Sequence, residues 1–348
     1  MNVVDVLVVG GGPIGLATAI DAHCRGLHVV VVEPRAAPID KACGEGLMPS
    51  ALDRLHTLGV DPQGRAFGGI RYLEANGGRQ VAASFRKGQG RGVRRTTLHQ
   101  ALGDRASLHG VETVQGRLVG LRQDHADVAV TLASGQILTS RFVVGADGLH
   151  SRTRRAAGIE ASSGPRPRFG LRRHFQTSPW SSFVDVHWAD GVEAYVTPVS
   201  DCSVGVALLT ERRGHGWDAL LERFPPLVER LGSVPTTDPV MGSGPLRQRV
   251  TRRVRGRVVL VGDAAGYVDA LTGEGIAIGL ESARIAVDAI VSEDLTGYEA
   301  RWRRVTRRSR WLTHAALFAA QHDSVRRSVV PASARWPRAF SMVVNGLA

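Results

Sequence analysis

Asp5-Val6-Leu7-Val8-Val9-Gly10-Gly11-Gly12-Pro13-Ile14-Gly15 is the stretch whose reading decides the fold. Its opening run is short, apolar and rich in β-branched side chains, the pattern of a strand buried on both faces. Residues 16–26 have helical composition and close on Gly26, the residue that most easily ends a helix. His28-Val29-Val30-Val31-Val32 reads as a second buried strand and ends at Glu33. In Gly10-x-Gly12-x-x-Gly15 the first glycine makes the tight turn, the second lets a pyrophosphate approach the backbone, and the third lets helix and strand pack closely. Pro13 and Ile14 lie in the first helical turn, where unpaired N–H groups and the positive dipole end meet phosphate charge. Glu33 follows Gly15 by 18 residues, near the spacing of an acid that accepts ribose hydroxyls. The whole predicts a dinucleotide-binding βαβ unit.

A second glycine segment begins 252 positions after Gly10: Gly262-Asp263-Ala264-Ala265-Gly266, continuing through Gly273-Glu274-Gly275-Ile276. It follows another buried-strand pattern, 257–261, and opens a long helix over 275–291. Two such segments in this order predict one dinucleotide held by both ends of a chain that folds back on itself. Between them, Asn76-Gly77-Gly78 marks a hairpin. Residues 95–102 read as a helix, 111–138 as strands with a Ser134-Gly135 turn, and 141–148 as a strand ending in a glycine-bearing turn. From 165 to 252 the strands alternate as in a largely antiparallel sheet, followed by a helix over 217–231. The tail from Tyr298 is arginine-rich and helical, with Trp302, Val305, Trp311, Leu312, Ala315 and Phe318 spaced as an apolar stripe. The reading is an α/β, Rossmann-type cofactor domain (1–69, 92–164, 253–297). It is interleaved with an antiparallel-sheet substrate domain (70–91, 165–252) and followed by a helical tail (298–348).

With 348 residues, 43% hydrophobic and 22% charged, the composition is that of an ordinary soluble globular protein. No apolar run reaches bilayer length. The N-terminal apolar run belongs to the glycine strand rather than to a signal peptide. Cys24, Cys43 and Cys202 are scattered and odd in number, against a disulfide framework or metal site and in keeping with a cytoplasmic location. The net charge of +12 comes almost wholly from dispersed arginines, Lys41 and Lys87 being the only lysines. No nucleic-acid module surrounds them, so nucleic acid is excluded as a partner. The excess still favours anionic substrates, phosphorylated cofactors or an anionic surface.

The triplet with Glu33, the run Gly145-Ala146-Asp147-Gly148-Leu149-His150-Ser151-Arg152 and Gly262-Asp263-Ala264-Ala265 together resemble the flavoprotein family of para-hydroxybenzoate hydroxylase. That family includes aromatic hydroxylases, geranylgeranyl reductases and flavin-dependent halogenases. The resemblance implies FAD as cofactor, with Asp263 on its ribityl chain, Asp147 near the pyrophosphate and Arg95 beneath the phosphates. Arg35 lies either over the adenosine or on the surface. It also implies NAD(P)H as a transient donor, with no domain of its own. Leu271-Thr272-Gly273-Glu274-Gly275-Ile276 and Cys43-Gly44-Glu45-Gly46 look most like the geranylgeranyl reductase branch. Gly266, Ala270 and Glu274 replace residues usual in hydroxylases, and the Trp-x-Trp motif of halogenases is absent.

The resemblance implies two chemistries. One is hydroxylation of an aromatic, polyketide or isoprenoid-like small molecule by oxygen through a flavin C4a-hydroperoxide, favoured as the commonest use of the scaffold. The other is hydride delivery to a carbon–carbon double bond. A flavin-binding or membrane-docking module that uses the tail is a third reading. Monomer and homodimer are both compatible. The flavin ring is expected between Gly273-Glu274-Gly275 and residues 41–46, where helical N–H groups stabilise the reduced ring. Cys43 is either a reactive thiol beside the ring or a structural cysteine. Glu45 and Glu274 are candidate proton donors or bases, against a solvated role. Tyr195 and His187 project from the substrate sheet, and Phe183, Trp188 and Tyr195 suit an aromatic or isoprenoid body.

Overall fold

The computed structural model describes residues 4–164, 166–211 and 214–347, so the domain boundary read at Pro165 lies outside the described residues. Val4–Val9 sits inside a sheet ordered Val254–Arg255, Val258–Leu260, Ile137–Gly145, Val4–Val9, Val29–Glu33 and Glu112–Gln115. From Val258–Leu260 to Glu112–Gln115 all neighbours run parallel, which is why the two valine-rich strands are apolar on both faces. Leu118–Gln123 and Val128–Leu132 join Ile137–Gly145 as an antiparallel meander. The helix Pro13–Cys24 packs against Arg95–Leu108 and Gly275–Val291.

The second sheet runs in the order Met241–Ser243, Phe169–Phe175, Ser203–Thr210, Val192–Ser200, Val184–Ala189, Gly69–Glu74 and Gln80–Ser84. It is antiparallel except where Val184–Ala189 lies parallel to Gly69–Glu74. The Asn76-Gly77-Gly78 hairpin joins the last two strands, with Gly77 at a φ of +79°. One face of this sheet carries the helices Trp217–Leu221 and Pro225–Leu231. The continuous helix expected over 217–231 is therefore broken. Pro225 and Pro226 have no N–H to donate to an earlier turn, and Pro suits the first position of a new helix.

The tail forms three helices, Tyr298–Gln321, Asp323–Arg335 and Pro337–Leu347. The expected apolar stripe is corrected. Trp302 is buried, but the face that continues from it is Thr306, Ser309, Thr313 and Leu317, while Trp311 and Phe318 are 68% and 56% exposed. Of the inward hydroxyls, Ser309 donates to the buried carboxylate of Glu274 and Thr313 meets Thr272, while Thr306 donates back to Trp302 O of its own helix. Among the described residues no helix is long and apolar enough to cross a membrane.

Candidate active site

The two glycine segments meet across one cavity of about 730 Å³ between the sheets. Gly12 begins the helix Pro13–Cys24 with no side-chain cap, so first-turn N–H groups are left for a ligand. Gly12, Pro13 and Ile14 line the cavity there. Gly10 and Gly15 sit behind them and shape the turn. Arg95 lies beside Gly12, lines the cavity, and its buried Nε has no hydrogen-bond partner among the described residues. An unpartnered guanidinium at a helix N-terminus fits a phosphate. Glu33 is buried and accepts from Gly11 N at 2.8 Å and from Arg35 Nε at 2.7 Å. Burial pushes its carboxyl up, but Arg35 and the Gly11 N–H outweigh this and hold it below the usual carboxylate range. Arg35 lines the cavity rim.

At the other end Gly262, Asp263, Gly273, Gly275 and Ile276 line the same space. Asp263 receives Lys41 Nζ at 3.3 Å. Helix Gly275–Val291 starts without a side-chain cap, leaving donors at the cavity. Asp147 lines the cavity but its carboxylate points into the protein. It accepts from Ser151 Oγ at 2.5 Å and from the N–H groups of Arg152 and Thr153 at 2.8 and 2.9 Å. This carboxylate therefore caps the helix Arg152–Ala156.

The segment 41–46 is pinned from several sides. Cys43 lines the cavity and its Sγ accepts from Glu45 N at 3.4 Å. Thr197 Oγ1 donates to Gly44 O at 2.8 Å. Glu45 is not a solvated loop glutamate: it is buried, with a φ of +60°. Its Oε1 accepts from Arg95 N at 2.8 Å, and its Oε2 lies 2.5 Å from His174 Nε2. His174 Nδ1 lies 2.5 Å from Asp238 Oδ2, which also meets Arg172 and Arg94. Arg172 Nη1 and Arg94 Nη2 also approach His174 Nδ1, at 2.9 and 3.2 Å, so the ring joins Glu45 to a mixed cluster of acid and arginines. Sequence reading missed His174 and Asp238. The usable signal was on Phe169–Phe175, where Arg172 and His174 occupy the same inward register as Gly170.

Tyr195 lines the cavity and donates its hydroxyl to Leu271 O at 2.9 Å. His187 does not share that face. It is buried with its ring edge-on to Phe224, and burial lowers it to about 4, so it is neutral at pH 7. Phe183 and Trp188 are outside the cavity lining, whereas Phe67 and Tyr72 belong to it.

Glu274 is buried, but its carboxylate turns away from the large cavity and accepts from Ser309 Oγ at 2.7 Å. It borders a second, smaller cavity, so the expectation of a proton donor at the ring is corrected. Burial pushes its carboxyl up from 4.5 to about 7, against hydrogen bonds from Ser309 and Thr272. An acid raised in the folded state stabilises fully below its unfolded value and loses that contribution as pH rises through the folded one. Glu274→Gln is therefore expected to gain about 3 kcal/mol on the parent as pH rises from 4.5 to 8. Urea unfolding at the two pH values checks this; equal stability differences at both would contradict it.

The chain matches the FAD binding domain family over residues 3–208. It is 30% identical over 316 residues to the menaquinone reductase of Mycobacterium tuberculosis (strain ATCC 25618 / H37Rv), covering 84% of this chain and 77% of the relative. It is also 30% identical over 327 residues to the digeranylgeranylglycerophospholipid reductase of Methanothrix thermoacetophila, covering 86% and 83%. Among solved structures it resembles p-nitrophenol 4-monooxygenase PnpA from Pseudomonas putida DLL-E4. The TM-score is 0.81 over 99% of this chain and 95% of that one at 20% identity, a likeness of fold.

Proposed function

The chain belongs to the FAD-binding-domain family of flavoprotein oxidoreductases, and from that premise we propose that it reduces a carbon–carbon double bond in an apolar, prenyl-type substrate. The observation that carries this reading is the substrate wall. From the seven-stranded sheet the cavity receives Ile70, Tyr72, Val184, Val186, Tyr195, Thr197, Ala207 and Leu209. None of them titrates near neutrality: burial pushes Tyr72 up to about 12 and Tyr195 higher still. A hydroxylase working on a phenol gains from a base that draws the phenolic proton, and this wall supplies none. An alkene asks only for an apolar berth, a hydride and a proton. The match to two reductases over most of their length supports the same choice.

In this reading the uncapped helix at Gly12 and the Arg95 guanidinium would hold the FAD phosphates, Asp263 would hold the ribityl chain, and the Gly273–Gly275 backbone would help to hold the ring. FAD, when bound and recharged by NAD(P)H, would supply a hydride. The Cys43 thiol gives its proton to the carbon that did not receive the hydride, and the thiolate recovers a proton from solvent. The Glu45 N–H directed at Cys43 Sγ steadies the thiolate meanwhile. Glu45 itself is a positioning residue, since both its oxygens are engaged by Arg95 N and His174.

FAD-loaded protein, reduced anaerobically and mixed with prenyl alkenes, is expected to reoxidise with a product two mass units heavier. Reoxidation by oxygen alone, with a product 16 units heavier, would overturn the reading. Cys43→Ala is expected to lower alkene reduction by about 10²-fold while flavin content and the rate of flavin reduction by NAD(P)H stay as in the parent. Unchanged turnover would remove Cys43 from the proton role.

A further inference from the structure

Behind the turn that carries Asp263, a second cavity of about 300 Å³ opens toward the helix Tyr298–Gln321. Six basic side chains converge on it: Arg247, Arg249, Arg253, Arg303, Arg310 and His314. Each acid nearby already has a partner, although Asp269 keeps one buried oxygen, Oδ2, without one among the described residues. Glu299 meets Arg253 Nη1 at 2.6 Å and Arg303 Nη2 at 3.1 Å. Asp269 receives Arg168 at 3.1 Å, Asp263 receives Lys41, and Glu274 receives Ser309. Among the described residues no carboxylate pairs with Arg247, Arg249 or Arg310. The guanidiniums of Arg253 and Arg310 lie 3.8 and 5.2 Å from the buried Trp302 ring, which fixes their position.

An arginine-rich composition scatters guanidiniums over a surface; it does not gather them in one concavity, where like charges repel. Burial, then Arg253, Arg303 and Arg249, pull Arg310 below its ordinary value, and burial with Arg247, Arg310 and Arg249 does the same to His314. A multivalent anion relieves that repulsion, and guanidinium forks match phosphate oxygens.

We propose that this cavity is a binding site for a phosphorylated anion of the diphosphate class, held by Arg247, Arg249 and Arg310. It shares Gly262, Asp263 and Gly275 with the large cavity, so its occupant bears on the turn that borders the flavin. The site stands independently of the reaction chosen above, because it rests on charge and shape alone. Two sources carry this chemistry: the phosphates of a nicotinamide dinucleotide and the phosphate end of a prenyl substrate.

The probe is inorganic pyrophosphate, titrated into FAD-loaded protein by calorimetry at 0.15 M NaCl with the flavin spectrum recorded alongside. Saturable one-to-one binding with a flavin difference spectrum is expected. The Arg249→Gln/Arg310→Gln double variant, its flavin content unchanged, is expected to bind at least about tenfold more weakly. Arg122→Gln, on an exposed strand position away from the cavity, is expected to bind as the parent does. Displacement of pyrophosphate by NADPH assigns the site to the electron donor, and displacement by a prenyl diphosphate assigns it to the substrate. Absence of saturable binding overturns the proposal, as does binding that Arg122→Gln and the double variant weaken equally. Neither outcome touches the alkene test, which reads product mass.

Discussion

Gly15→Ala protein is expected to purify without flavin. A Cβ on Gly15 would stand 1.7 Å from the carbonyl oxygen of Gly10 and 2.9 Å from its carbonyl carbon. Both are backbone atoms, so no side-chain rotation relieves the clash. Gly10 has no room to retreat: its φ is +110°, and its own Cβ position lies 2.6 Å from Ala146 O on the neighbouring strand connection. The helix Pro13–Cys24 must therefore lift from the sheet, carrying its free N–H groups away from the phosphate position. Flavin content below a tenth of the parent's and a lowered Tm are the expected readings. Gly103→Ala is the matched control. Gly103 is in the helix Arg95–Leu108 and nothing stands within 4 Å of its Cβ position, so the same chemical change should stabilise by roughly 0.5–1 kcal/mol. Full flavin occupancy in Gly15→Ala protein would mean that the glycine turn is not packed as described.

Arg168→Met is expected to be the most damaging single change outside that turn. The Arg168 side chain is 3% exposed and joins Glu193, on the strand Val192–Ser200, to Asp269, on the loop before Gly273. Each of those carboxylates is 1% exposed. Burial pulls the Arg168 guanidinium down, but the charges of Glu193 and Asp269 outweigh this and hold it above its ordinary value. Removing the one cation leaves two carboxylates in an apolar interior, which costs about 3–5 kcal/mol when a buried pair is broken. Urea unfolding checks it. The triple variant with Glu193→Gln and Asp269→Asn is expected to recover most of the loss, because no buried charge is then unmatched. If Arg168→Met alone unfolds at the parental midpoint, the pair contributes nothing.

What was legible in the sequence was what local pattern dictates. Val4–Val9, the glycine turn, the hairpin at Asn76-Gly77-Gly78 and the helix Gly275–Val291 are each specified by residues adjacent in sequence. The Glu45–His174–Asp238 chain is different in kind. Its members come from three distant segments, and only the packing of the whole chain brings them together. The tail shows the opposite failure, where hydrophobicity was read correctly and burial was not. Trp311 and Phe318 look like core residues, yet the helix turns Thr306, Ser309 and Thr313 inward, the last two toward Glu274 and Thr272. A buried carboxylate needs hydroxyl partners more than a helix needs its largest apolar side chains covered. For Glu274 and Glu45 the sequence leaves a proton-transfer role and a solvated one open, and nothing in their own neighbourhoods forecasts the buried partners they have.

The order of strands in the parallel sheet has a consequence for biosynthesis. Val258–Leu260 closes onto Ile137–Gly145, which borders Val4–Val9. A nascent chain that has emerged through residue 250 therefore displays a finished glycine turn beside an open sheet edge. Long-range pairing of this sort is slow, and unpaired edges invite aggregation while it waits. Held as proposed, by residues from both ends, FAD would recognise only the completed assembly and draw the equilibrium toward it by mass action. On that binding mode, cofactor supplied during translation is expected to give a higher yield of native protein than reconstitution afterwards.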